Sequence, residues 1–215
     1  MPDPVDHFIA RWESSGAAER ANYALFLSEL CDLLDVPRPD PTSPDPAKNR
    51  YVFERAVTRV APDGTSSSGF IDLYRAGHFV LETKQGASDP TIDPDPHGLS
   101  ASKVPIKSGH GKRGSAAFDR ALERAYHQAR GYITALPADD GRPPFLIVCD
   151  VGHTLDLYAE FTGTGGHYER FPDPRSHRIT LADLRRPEIR DRLRLVWTDP
   201  YSLDPSKKAA EVTRD

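Results

Sequence analysis

The 215-residue chain, 38% hydrophobic and 28% charged, is long enough for one domain with a substantial core and too short for a second catalytic domain beside it. A formal net charge of -4 excludes a generally basic nucleic-acid binder, so any contact with DNA must come from local clusters. Cys31 and Cys149 stand in apolar runs without metal-ligand spacing, which excludes a disulfide framework; with no long apolar segment and no basic, apolar leader, a soluble protein of the reducing cytoplasm, away from membranes, is expected.

In chain order, Phe8, Ile9 and Trp12 share one side of a short predicted helix over 6–14. A longer helix follows over 17–34, where Tyr23, Phe26, Leu27, Leu30, Leu33 and Leu34 recur at three-and-four spacing until Pro37 and Pro39 stop it. Glu29, at the edge of that apolar face, reads as a solvated surface residue rather than a metal neighbour. With the Pro-Asp loop that follows, these helices make up a first segment, 1–50. A strand over 51–59 then places Val52, Glu54 and Ala56 on one side, so Glu54 is either a plain exposed strand residue or an accessory group for a site on the neighbouring hairpin.

That hairpin is the informative stretch. Residues 70–74 and 79–83 are rich in Phe, Ile, Val, Leu and Tyr, and Ala76-Gly77 between them is a turn signal. Alternation puts Glu82 and Lys84 on one face. Asp72 joins them only if a three-residue loop, Ala76 to His78, closes the hairpin with a left-handed residue such as Gly77; Arg75 then pairs with Phe79 and Asp72 lies opposite Glu82. Two facing carboxylates repel unless a hard cation with oxygen ligands sits between them. The alternative is a cross-strand ion pair on a solvated face.

Residues 85–114 are full of Gly, Pro, Ser and Asp and read as a flexible insertion. Its second half carries Lys103, Lys107, Lys112 and Arg113 without intervening acids, a pattern suited either to a DNA-backbone arm or to a solvated loop. Ser115 is the expected N-cap of a helix to about Leu136, whose stripe of Phe118, Leu122, Ala125, Ala129, Tyr132, Ile133 and Leu136 is buried, with Gln128 one turn before Tyr132. The apolar run 145–149 predicts a central strand, 155–161 its antiparallel partner, and Asp150 and His153 the turn between them. Beyond the Gly163–Gly166 turn, an Arg-rich helix is expected over 181–196, Asp199-Pro200-Tyr201 reads as a turn, and the tail is polar, as if the chain continued.

Gly-Phe-Ile-Asp-Leu followed by Val-Leu-Glu-Thr-Lys resembles the PD-(D/E)xK nuclease core, and Gln128-x-x-x-Tyr132 resembles an element that follows the Glu-x-Lys strand in some of these enzymes. Residues 19–31, 51–55, 79–86, 144–153 and 197–205 together are similar to the N-terminal region of MmeI-like (type IIL) proteins, large bacterial restriction-modification or phage-defence proteins that are class I SAM-dependent DNA methyltransferases. The resemblance implies an α/β restriction-endonuclease-like core with a central mixed sheet flanked by helices. It divides the chain into the 1–50 segment, a nuclease-like core over 51–162 carrying the 85–114 insertion, and a 163–215 segment leading towards helical, methyltransferase and target-recognition domains that this chain does not encode. Carried over by position, it makes Asp72, Glu82 and Lys84 catalytic, with Glu54 and Gln128 as accessory candidates. Asp72, Glu82 and the Thr83 carbonyl would hold Mg2+ or its substitute Mn2+. The expected activity is metal-dependent hydrolysis of double-stranded DNA, with dimerisation for double-strand cleavage. The insertion after Gly86 departs from more compact members. Two rival readings are a non-cleaving DNA-binding module and a docking module of a DNA adenine methyltransferase.

Overall fold

The computed structural model describes residues 3–15, 19–60, 63–84, 113 and 115–207. Two helices come first. α1 (Pro4–Glu13) starts at Asp3, whose carboxylate accepts from the Val5 N–H, with Pro4 at the first helical position where no N–H is needed. α2 (Glu19–Leu34) buries Phe26, Leu27, Leu30, Cys31 and Leu34 and ends at Asp35, a left-handed residue (φ 53°) after which the Val36 N–H returns to the Cys31 carbonyl. The helix thus stops through its own cap, before the prolines expected to end it.

Three strands follow, β1 (Tyr51–Val60), β2 (Ser66–Arg75) and β3 (Phe79–Lys84). α3 (Ala116–Ala135), capped by the Ser115 hydroxyl as expected, leads to β4 (Phe145–Asp150) and β5 (Thr154–Ala159). Two short strands, β6 (Glu169–Arg170) and β7 (Arg178–Thr180), precede α4 (Pro187–Thr198). Among the described residues they form one seven-stranded sheet in the order β1-β2-β3-β4-β5-β6, with β7 also on β5. β3 and β4 run parallel, joined by the α3 crossover, while their neighbours pair antiparallel.

One apolar cluster joins Phe79, Leu81, Phe145 and Ile147 to α1, α2 and α4; the other joins Val80, Leu146 and Val148 to α3. β4 is therefore covered on both faces, which is why its sequence is continuously apolar. This is an α/β fold with a central mixed sheet flanked by helices, consistent with a restriction-endonuclease-like core. The 1–50 and 163–215 segments both contribute to the first cluster, so the core does not divide at those boundaries.

The expected helix over 181–196 is two elements. Residues Leu181–Arg185 form a 3-10 turn closed by a reciprocal Thr180–Asp183 capping box, and α4 restarts at Pro187, whose ring and missing N–H break the ladder but suit a first turn. Both cysteines are buried and outside any disulfide, as read from the sequence.

Candidate active site

The hairpin closes as a three-residue loop. Gly77 is left-handed (φ 71°), the His78 N–H reaches the Arg75 carbonyl at 3.0 Å, and Arg75 pairs with Phe79. The β2–β3 ladder then runs only to Leu73 opposite Leu81. From there β2 stays with β1 while β3 runs on beside β4 to its last residue. The strands fork at Asp72, which continues the register opposite Glu82 but is joined to β3 by its side chain. Its Oδ2 accepts the Thr83 N–H and the Thr83 hydroxyl, both at 2.6 Å. Burial pushes the Asp72 carboxyl up, against the two Thr83 hydrogen bonds and the Lys84 charge that pull it down.

From the other prong, Glu82 and Lys84 project to the α3 face. Glu82 is 2% exposed, and its Oε1 accepts from Lys84 Nζ at 3.1 Å and from Gln128 Nε2. Gln128 also donates to the Tyr132 hydroxyl at 3.1 Å. The Tyr132 ring is fixed in turn: Arg59 lies over it at 4.5 Å, and Gly69 of β2 approaches so closely that a Cβ there would stand 2.6 Å from a ring carbon. The Gln-x-x-x-Tyr spacing thus brings one turn of α3 onto Glu82.

Glu54 sits directly opposite Asp72 in the β1–β2 register, between the pairs Phe53–Leu73 and Arg55–Ile71. It is itself left-handed (φ 53°), uncommon for a residue with a Cβ inside a strand. Both strands exchange faces at this point. Tyr51, Phe53 and Leu73 join the cluster under α1, α2 and α4, whereas Val57 and Ile71 join the one under α3. The expected grouping of Val52, Glu54 and Ala56 on one side therefore fails, because simple alternation does not survive a left-handed residue. Glu54 accepts a hydrogen bond from the Tyr23 hydroxyl of α2. Burial raises the Tyr23 pKa, and Glu54, Asp72 and Glu82 raise it further. Tyr23 is a site neighbour that its place on an apolar stripe concealed.

Lys103, Lys107 and Lys112 lie outside the described residues. Arg113 is described, and its guanidinium grips Asp150, at the end of β4, through Nε (2.7 Å) and Nη2 (3.0 Å). Asp150 is level with Lys84 on the adjacent strand. Read from the sequence as a turn residue, it is the last strand residue and 1% exposed. Glu29 is used structurally, accepting from the Trp12 indole at 2.9 Å and pairing with Arg11.

Among the described residues no group of three or more His, Cys, Asp or Glu side chains is placed to hold a metal ion. A cation at the fork would have two carboxylates, Asp72 and Glu82, and would need backbone carbonyl and water for the rest. That donor set suits Mg2+, which keeps several waters and takes one or two carboxylates.

A family model described as MmeI, N-terminal domain, matches residues 3–212. A tRNA 5-methylaminomethyl-2-thiouridine biosynthesis bifunctional protein, MnmC, of Marinobacter nauticus is 27% identical over 117 residues, 52% of this chain and 17% of that protein, so the chain spans only a small part of that relative's length. No solved structure matches the chain.

Proposed function

Because the chain belongs to the MmeI N-terminal domain family, we propose that it is a Mg2+-dependent endonuclease domain of a bacterial restriction-modification or phage-defence protein, acting on double-stranded DNA beside methyltransferase and target-recognition domains. The observation that carries this reading is the fork: β2 and β3 part at Asp72, and carboxylates from both prongs stand next to Lys84. Asp72, Glu82 and the Thr83 carbonyl would hold the cation. When bound, Mg2+ supplies a Lewis acid for the scissile phosphate and a water of lowered pKa.

The chain's own groups do the rest. Thr83 donates twice to one oxygen of Asp72, which fixes the carboxylate plane. Gln128 donates once to Glu82, from a turn of α3 anchored through the Tyr132 hydroxyl. The Lys84 ammonium, now turned to Glu82, offsets negative charge that builds on the phosphate as the P–O bond is attacked. Glu54, held by Tyr23 opposite Asp72, adds negative potential at the fork and favours a cation there.

Thermal melts with Mn2+ or Mg2+ titrated in test this without cognate DNA. A site filled at a hundred times its Kd adds about 2.7 kcal/mol, a shift of several degrees. Wild type is expected to show that rise. Asp72→Asn, which keeps an acceptor for Thr83 but loses the charge, is expected to lose it, whereas Lys84→Ala keeps the rise and abolishes metal-dependent nicking of plasmid DNA. A wild-type protein unmoved by millimolar metal would overturn the reading.

A further inference from the structure

Beside the fork is a hollow of about 350 Å3 whose walls include Arg113, Asp150, His153, Thr154, Arg178 and Thr180. We propose that it is a subsite for a DNA backbone phosphate flanking the scissile one, with Arg113 as the clamp and Asp150 as the residue that positions it. The inference rests on the nuclease reading above, because it assigns this hollow to the same DNA.

Three observations carry it. First, place: Lys84 and Asp150 are partners in the parallel β3–β4 pair, so their side chains leave the sheet on the same face, on strands about 5 Å apart. Arg113 on Asp150 therefore stands next to Lys84, within reach of one strand of a nucleic acid lying over both. Second, preorganisation: Asp150 is almost fully buried at the end of a core strand and takes two N–H groups of the guanidinium side-on, at 2.7 and 3.0 Å. A guanidinium has five N–H donors, so such a grip fixes the plane and leaves donors for a second acceptor. The Arg113 side chain is 25% exposed, so the clamp is within reach of solvent. Third, company: the hollow adds the Thr154 hydroxyl and the imidazole of His153, groups that donate to phosphate oxygens, whereas the Thr180 hydroxyl on its wall is held by Asp183. Glu13 and Asp119 also line it, so the site takes a single backbone phosphate through directed hydrogen bonds and not through a general positive field.

Removing Arg113 alone would strand the buried Asp150 charge. The informative variant is therefore Arg113→Gln combined with Asp150→Asn, which leaves the net charge unchanged and replaces the ion pair by two amides. A labelled mixed-sequence duplex is titrated across a salt series in Ca2+, so that binding is read without cleavage. The double variant is expected to bind about tenfold more weakly, as suits loss of one charge-assisted contact, and the slope of log affinity against log salt is expected to fall by about one. Arg38→Gln, a surface arginine paired with Asp32, is expected to match wild type. Wild-type affinity and slope in a folded double variant, or no salt-dependent binding by wild type, would overturn the subsite. The Mn2+ melt separates the two readings. A metal-dependent rise that persists in a double variant of unchanged affinity sinks the subsite alone; a loss of affinity in a protein that never responds to metal sinks the nuclease and leaves the phosphate site.

Discussion

Glu160 is 8% exposed, and a set of donors holds it in place: Oε1 accepts the Thr162 N–H at 2.6 Å and the Thr162 hydroxyl, and Oε2 accepts the Gly165 N–H at 2.8 Å. Burial alone would raise its pKa, but the hydrogen bonds from Thr162, Gly165 and Thr164 outweigh burial and hold the carboxyl below the ordinary glutamate range. A carboxylate whose folded pKa is depressed contributes stability that is complete above its unfolded pKa, near 4.3, and is lost as pH falls through the folded value. Glu160→Gln is therefore expected to melt below wild type at neutral pH, by about 1–2 kcal/mol for charge-assisted bonds to a carboxylate, with the gap closing below about pH 4. A gap independent of pH would mean that shape, not charge, holds the 160–166 turn. At Asp72 the balance runs the other way, since burial there outweighs the donors and the nearby lysine. A buried carboxylate is thus held charged by its donors in one place and pushed towards its neutral form in the other.

Among the elements, α3 links the scaffold to the candidate site, because Tyr132 and Gln128 reach from its stripe onto β2 and β3. Gly69 is where that packing is tightest. Gly69→Ala puts a methyl into the Tyr132 ring, over which Arg59 also lies, so the ring has to move. A cost of about 1–3 kcal/mol is expected in a thermal melt, along with a smaller metal-dependent rise as Gln128 leaves Glu82. A neutral result in both would show that the Tyr132–Gln128–Glu82 chain does not tie α3 to the site. How far this arrangement was legible in the sequence depended on distance along the chain. Local turn chemistry located the hairpin and made the three-residue loop with its Arg75–Phe79 register one of the closures open to it, and local hydrogen bonding placed the cap at Ser115. Three features were not legible: the fork, because it requires β4 to capture β3 from across the insertion; the face exchange at Glu54, because alternation assumes ordinary backbone; and the Arg113–Asp150 pair, because its partners are 37 residues apart.

Over the whole molecule, a boundary after residue 162 predicts a C-terminal segment that could be removed from a folded nuclease-like core. The packing argues otherwise. Trp197 of α4 is fully buried, its ring lies 4.5 Å from that of Phe79 at the start of β3, and its indole N–H donates to the Tyr51 hydroxyl of β1 at 3.1 Å. Tyr51 in turn donates to the Pro37 carbonyl and sits 3.4 Å from Cys31 of α2. One buried group of four side chains thus joins both ends of the described chain to the strands that lead into the fork. Trp197→Ala removes the largest of them and leaves a cavity under β3, for a loss of about 3–5 kcal/mol. Far-ultraviolet circular dichroism, which reports the helices and sheet, and tryptophan fluorescence, which in the wild type reports Trp12 and Trp197, should then unfold at one denaturant midpoint. In Trp197→Ala the two probes should move together to lower denaturant, with Trp12 now reporting alone. If the remaining signal from Trp12 and the sheet signal kept their wild-type midpoints, α4 would be an appendage after all, and the first strands and helices would form a core that stands without it.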